Sequence, residues 1–416
     1  MAPSTAQRTG RTDTTPAAGV LGRDFLLLLA ATLGTFSNYA PLLSVAPLWS
    51  AEGGTGNTGV GAATGVTMAT TVGVQLFMRR LLARFTLRRI LVLGALLLGL
   101  PTFAYPVSAG LGWVLAISAV RGVGFGMVAV AGSALVAELV APGSRGRAVG
   151  WYGIAVGLPQ VVCLPLGVWA AGHLGFTAVF VAAGALSVLA APLAAAITVR
   201  GDGAAPRGPR VAPADAGRSG ATGLSGPFTL LVVAACALGG VTSFLPLALT
   251  RPSAAPLALF LLSAAVIAGR WGAGVVNDRI GLGRLLVPGV LACAVGMGGF
   301  GAAAVPEGGA PVLAAVAAVV YGAGFGALQN DTLLVMFRRA RPGGHGKAST
   351  LWNMAYDGGT GIGSLAVGLF SPLLGVGGSF TAAAVLVLLV THLAVRDART
   401  ERAVAAPGAG QEGEGF

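Results

Sequence analysis

A few polar side chains interrupt a chain that is otherwise oily, and their spacing marks where chemistry could be done. Asn353, Asp357, Thr360 and Ser364 stand at i, i+4, i+7 and i+11, so a helix gathers them on one face. Thr64, Thr67, Thr71 and Gln75 make a similar stripe. A charge at the centre of a membrane helix costs roughly 2.5–3.5 kcal/mol on insertion scales, so such groups usually face a bundle interior or a wet cavity. Asp357 is therefore expected to titrate a proton or to bind a cationic solute. The plainer alternative is a carboxylate bonded to Asn353 or to backbone loosened by Gly358 and Gly359. Arg121, mid-helix, can meet a solute anion or Asp357, which makes it a coupling candidate, as is Asp331. Arg270 and Asp331 lie at similar depth, roughly 10 Å in at 1.5 Å per residue, and are expected to form a structural ion pair.

Other groups could line a cavity. They are Asn38, Tyr39, Gln160, Gln329, Asn330 and Tyr356; Trp151, Tyr152 and Trp352 fit either a cavity or a packing and anchoring role. Glu138 is expected to meet Arg145 or Arg147. His173, His345 and His392 fall in loops or near a helix end, which suits no proton relay. Cys163, Cys236 and Cys293 lie in apolar stretches at no metal-ligand spacing and read as buried thiols. Neither a nucleophile–base pair nor a metal set emerges, so no enzyme activity, metal or cofactor is expected.

The elements that carry these residues follow from composition. Hydrophobic residues make up 55% of the chain and charged ones 10%, with a mean hydropathy of +0.82. A soluble protein carries about a quarter charged residues, so most of this surface must face lipid. The 67 glycines sit inside Val, Leu and Ala runs, where they let helices approach closely. Apolar runs of spanning length fall at 24–48, 58–78, 89–107, 111–139, 147–170, 175–199, 227–249, 255–276, 284–305, 310–337, 348–372 and 378–396. The expectation is an all-α membrane protein of twelve transmembrane helices in two pseudo-symmetric six-helix bundles, 23–199 and 227–396. A Gly-, Pro- and Arg-rich linker at 200–226 joins them, and disordered tails at 1–22 and 397–416 flank them.

Charge placement sets an orientation. Arg and Lys crowd alternate connections, the linker and both tails, while the opposite connections hold only Arg251. This is the positive-inside pattern. It places both termini and the linker on the cytoplasmic side of the cell inner membrane. The net charge of +12 is then topological, and no nucleic acid is expected as a partner.

The halves echo one another at an offset of 200. Gly122, Gly124, Phe125 and Gly126 recur as Gly322, Gly324, Phe325 and Gly326, and Pro142, Gly143, Gly146 and Ala148 recur as Pro342, Gly343, Gly346 and Ala348. Parallel six-span repeats build one large class of secondary carriers. Pairs such as Gly61/Gly65, Gly153/Gly157 and Gly359/Gly363 suit helix packing.

Gly274, Asp278, Arg279 and Gly281, with Arg284 beyond, close the eighth span. This segment resembles the cytoplasmic loop signature of the major facilitator superfamily. The resemblance implies a gate latch: Gly274 for tight helix contact, Asp278 and Arg279 for charge contacts, Gly281 for the turn. The first-half copy, Arg79 to Thr86, has Ala83 in the acid's place and Thr86 in the glycine's, and keeps Arg84. Span 4 is similar to the family's proton-coupled members, except that Ser118 holds their arginine position and Arg121 stands just before Gly122. Span 5, with Pro159, Pro165 and Gly167, is similar to antiporters without their Gly-Pro pair. The stretch from Trp352 to Thr360 looks most like drug- and metabolite-efflux branches. Together these imply a monomeric, proton-coupled exporter of a small amphiphilic metabolite or drug. A symporter importing a sugar or organic acid is the alternative on the same scaffold. A non-transporting membrane sensor or scaffold is the alternative of another class.

Overall fold

The computed structural model describes residues 21–141, 144–198, 223–249, 251, 253–305, 310–340 and 345–405. The expectations for 1–20, for 200–222 and for 406–416 lie outside the described residues. Helices α1 (Arg23–Glu52), α2 (Asn57–Leu82), α3 (Leu87–Gly99), α4 (Leu111–Leu139), α5 (Arg145–Leu174) and α6 (Phe176–Ala195) form the first half. The second comprises α7 (Ser225–Ala248), α8 (Ala254–Ile280), α9 (Leu286–Ala303), α10 (Pro311–Arg339), α11 (His345–Leu389) and α12 (Thr391–Ala405).

Eleven of these stretches are long and apolar enough to cross a membrane, and the last covers 58 residues. A straight helix of that length would reach about 87 Å, far beyond a hydrocarbon core of about 30 Å. Gly375, with φ 69° and ψ 168°, breaks it. The chain folds back there, so 345–374 makes the eleventh crossing and the chain from 376 onward the twelfth. Helix then continues through Ala405, which corrects the expected disordered tail for residues 397–405. α3 is completed by a 3-10 segment, Leu100–Val107. Pro101 and Pro106 lack the N–H that an α-ladder needs there.

The sequence echo has a packing cause. A Cβ on Gly122 would strike the α2 backbone at Thr67, and one on Gly124 would strike α3 at Gly94 and Leu98. At the equivalent positions, Gly322 meets α8 at Leu262, and Gly324 meets α9 at Gly289 and Cys293. In each half the same two glycines seat the fourth helix on the second and third. Buried apolar clusters largely follow this division, two within the first half and a larger one centred on the second that also takes in Ala40, Val60 and Leu164.

The halves meet along a seam that is closed at the end away from the basic connections. Ser44 donates to the Thr242 carbonyl at 2.5 Å, Thr64 and Ser243 share a bond of 3.1 Å, and Ser364 donates to the Gly61 carbonyl at 3.2 Å. Ser243 and Ser364 also bond at 2.8 Å, so α2, α7 and α11 are laced together there. On the other flank α5 touches α8 where Gly157 faces Ile267, leaving Trp151, Ile154, Leu158 and Trp271 exposed.

Candidate functional site

On the side of the seam toward the basic connections, a hydrogen bond between the halves joins Gln75 to Asp357. Gln75 Nε2 donates to Asp357 Oδ2 at 2.8 Å, and both side chains are buried. α2 delivers Gln75 one turn beyond Thr71, and α11 delivers Asp357 from near the middle of the 345–374 crossing. Asn353 does not take up Asp357 but donates to the Ser349 carbonyl at 2.9 Å. The carboxylate thus faces the other half rather than its own helix. Tyr39 and Tyr356 both lie within electrostatic reach of it.

Beside this contact the first half holds a buried cation. Arg121 Nη2 donates to Asn38 Oδ1 at 3.0 Å, Nε to Thr102 Oγ1 at 3.1 Å and Nη1 to the Tyr105 hydroxyl at 3.3 Å. Asn38 in turn donates to Thr102 at 3.1 Å, and Tyr105 and Ser118 share a bond of 2.9 Å. The guanidinium also lies 5.6 Å from the Tyr105 ring centroid. All these partners are neutral, so the expected pairing of Arg121 with Asp357 is not formed. The 3-10 segment makes this nest: it turns Thr102 and Tyr105 toward α4, where a regular helix would rotate them differently. A narrow pocket lined by Tyr39, Leu43, Thr64, Thr67 and Arg121 adjoins it. Tyr39 itself lies flat on Phe125, ring centroids 3.6 Å apart.

The expected ion pair of Arg270 with Asp331 is not formed either. Asp331 is fully buried, accepts from Asn277 Nδ2 and accepts from the Leu285 backbone N–H at 3.1 Å. It thereby fastens the end of α8 and the start of α9 to α10. Equal depth on α8 and α10 was the sequence signal, but Asp331 faces the α8–α9 turn while Arg270 faces α11. The Arg270 guanidinium lies 5.7 Å from the Trp352 ring centroid.

The stripe residues have mostly packing roles. Thr67 donates to the Ala63 carbonyl, Thr71 to the Thr67 and Gly122 carbonyls, and Thr360 to the Tyr356 carbonyl, all at 2.8–2.9 Å. Gln160 is half-buried on α5 and Gln329 buried on α10. Asn330 keeps its Nδ2 buried without a partner among the described residues. In the loop after α8, Gly281 (φ 90°) makes the expected turn, whereas no atom comes within 4 Å of a Cβ built on Gly274. The tight contact expected of Gly274 is therefore absent. Asp278, Arg279, Arg284 and Arg84 are exposed, and the residue bonded across this turn is Asn277.

Gln75, Thr102, Tyr105 and Ser118 were not singled out as site residues from sequence. Gln75 had a signal, as the last member of the α2 stripe. Thr102 and Tyr105 had none, because nothing in an apolar run with two prolines announces which way a 3-10 turn points.

The basic end of the second half is held by charge. Arg339 donates to Glu401 Oε1 at 2.7 Å, to Asp397 Oδ1 at 3.0 Å and to the Gly223 carbonyl at 2.8 Å, and Arg338 pairs with Glu401. The Asp397 carboxylate lies against Gly226 in the first turn of α7, where a helix N-terminus favours negative charge. The first half has a lighter counterpart, in which the Thr198 N–H donates to Asp24 at 3.1 Å.

Comparison with known proteins agrees with this architecture. Among solved structures, a bacterial homologue of the human lysosomal transporter Spinster, in an inward-facing and occupied conformation, matches with a TM-score of 0.76 at 16% identity, covering 90% of this chain and 96% of that one. A POT family transporter in complex with 5-aminolevulinic acid matches with a TM-score of 0.77 at 11% identity, over 91% and 96%. The nucleoside transporter NupG matches with a TM-score of 0.66 at 11% identity, over 92% and 100%. At these identities the likeness is one of fold. No curated protein matches the chain. The family model of the Major Facilitator Superfamily matches residues 26–364, and the chain belongs to that superfamily of membrane transporters.

Proposed function

We propose that this protein is a proton-coupled secondary transporter of a small amphiphilic solute, working by alternating access, with efflux in exchange for protons as its direction. The observation that carries the reading is the Gln75–Asp357 bond, a buried carboxylate held across the seam by one neutral side chain of the opposite half. Parting α2 from α11 removes that partner and admits water to the carboxylate. Closing them again returns it to a dry site, where an ionised group with a single neutral partner is costly. Opening and closing therefore favour different protonation states of Asp357, which links proton movement to the rocking of the halves. One proton crossing about 100 mV releases roughly 2.3 kcal/mol, enough to drive nearly fifty-fold accumulation. On this reading the basic connections face the cytoplasm, the protein sits in the cell inner membrane as a monomer, and the α8–α9 turn with Asp278 and Arg279 serves as part of the gate.

A second reading, uptake of an organic acid together with a proton, is favoured by Arg270, which forms no ion pair with a described carboxylate. Transport in proteoliposomes under an imposed pH gradient separates the two, since efflux exchange and co-uptake respond to the gradient with opposite sign. Wild type is compared with Asp357→Asn, and undiminished gradient-driven transport in that variant would falsify the coupling role.

A further inference from the structure

Arg270 is a charged group that the efflux reading leaves unused. It lies in the interior of α8, ten residues before the helix ends at Ile280, where an uncompensated cation is costly. The surrounding backbone fixes its direction. Gly269 and Gly326 bring α8 against α10, with the backbone N of Arg270 beside Gly326. Ile267, one turn earlier, points at Gly157 of α5. The Arg270 side chain leaves α8 between these contacts, crosses to α11 and lies over Trp352, still exposed.

Trp352 is a prepared surface rather than a loose ring. Its indole N–H donates to the Thr332 hydroxyl at 3.2 Å, and its ring stacks on Tyr356 at 6.0 Å with an interplanar angle of 14°. Tyr356 leans on Phe325 and is half-buried. The pair therefore forms a rigid aromatic strip, Trp352 buried beneath an exposed guanidinium at one end and Tyr356 half-buried beside Asp357 at the other. Arg121 offers the contrast. It is equally deep, but three neutral groups, Asn38, Thr102 and Tyr105, enclose it and 2% of it is exposed. Arg270 has an aromatic face on one side and open space on the other, and its donors are free to form a fork with two oxygens.

We propose that Arg270 and the Trp352–Tyr356 strip form an anion subsite, and that the transported solute carries a carboxylate or a similarly flat acidic group joined to an apolar, ring-bearing body. The acid pairs with the guanidinium, and the body lies along the aromatic strip toward Asp357. This rests on the transporter reading and names the substrate class of that site, but not the direction of transport.

The test is binding to the full-length protein in detergent, by equilibrium dialysis with 1-naphthoate, against neutral 1-naphthalenemethanol and cationic 1-naphthylmethylammonium of the same shape. Wild type is expected to bind the acid at least about tenfold more tightly than the alcohol, a difference of about 1.4 kcal/mol. Arg270→Gln should bring acid and alcohol level, and Trp352→Leu should weaken both together. Equal binding of acid and alcohol by wild type overturns the proposal without any variant. So does a preference for the acid that survives Arg270→Gln. A preference that disappears when phosphatidylglycerol is added to the micelles assigns the guanidinium to a lipid headgroup and overturns it as well. Acid-selective binding without gradient-driven transport in liposomes leaves the subsite standing and removes the transport reading. Transport without acid selectivity removes the subsite alone.

Discussion

Gln75 on α2 and Asp357 on α11, 282 residues apart in the chain, meet at 2.8 Å and bond the two halves on the side of the seam toward the basic connections. The bonds beyond it involve serine and threonine hydroxyls and backbone carbonyls, so among the groups in these bonds Asp357 is the one able to change its charge.

A neutral amide can replace the carboxyl without emptying the space. Asp357→Asn should fold and retain solute exchange between equal pH values, while losing accumulation driven by a pH gradient. Gln75→Leu should leave the coupling carboxyl in place but strip its partner, so that gradient-driven transport persists at a lower rate. Parallel counterflow and pH-jump assays read the two effects separately. A variant Asp357→Asn that still concentrates solute would remove this group from the coupling path.

Arg121 acts through its surroundings. Arg121→Met strips the buried Asn38 Oδ1 of its donor, at about 1–3 kcal/mol for an orphaned group, while Thr102 and Tyr105 lose one bond each but keep Asn38 and Ser118 as partners. The melting temperature in detergent should fall clearly, and Arg121→Lys, which keeps the charge but not the planar fork, should recover only part of it. An unchanged melting curve for Arg121→Met would mean the nest contributes nothing to stability.

The repeated glycines can be tested against a silent one. Gly122→Ala and Gly322→Ala push a methyl group into the backbone of a neighbouring helix, and overpacking of this kind costs about 1–3 kcal/mol. Gly274→Ala meets open space and should leave thermal stability unchanged, although the position belongs to the loop signature. Reduced yield and melting temperature are the readouts, and equal behaviour of all three variants would refute the packing account.

The architecture was legible where physics allows few solutions. Twelve apolar runs, alternating basic loops and an offset of 200 residues between Gly122 and Gly322 each follow from lipid burial or from helix contact. The site was legible in its residues but not in its pairings. Asp357 stood out by charge alone, yet its partner comes from the other half and sequence carries no angular register between halves. Arg270 and Asp331 share a depth, but depth does not say which way a side chain leaves its helix. Asp397 and Glu401 were readable in retrospect: they stand at i and i+4, a spacing that puts both on one face, within a segment whose mixed charges otherwise suit a solvated tail.

Removing Arg339 isolates that last feature. Asp397 and Glu401 are 2% exposed, and Arg339→Ala deprives both of their best partner, which should cost roughly 3–5 kcal/mol as for other broken buried ion pairs. Truncation after residue 390 should be less harmful to Arg339 itself, since Arg338 and Arg339 can then reach water, but it uncovers the start of α7. Fluorescence-detected gel filtration after a heat step compares them. A truncated protein as heat-resistant as the full chain would show that the contact is ornamental.

The anchorage of Arg338 and Arg339 has a consequence for biosynthesis. The acids that neutralise them lie at positions 397 and 401, well after the arginines in the chain, so both arginines are synthesised long before their partners. Until then the second bundle carries two uncompensated arginines beside the bare start of α7. A chain that stops before residue 397 keeps that defect, and so carries a charge imbalance that the folded protein lacks.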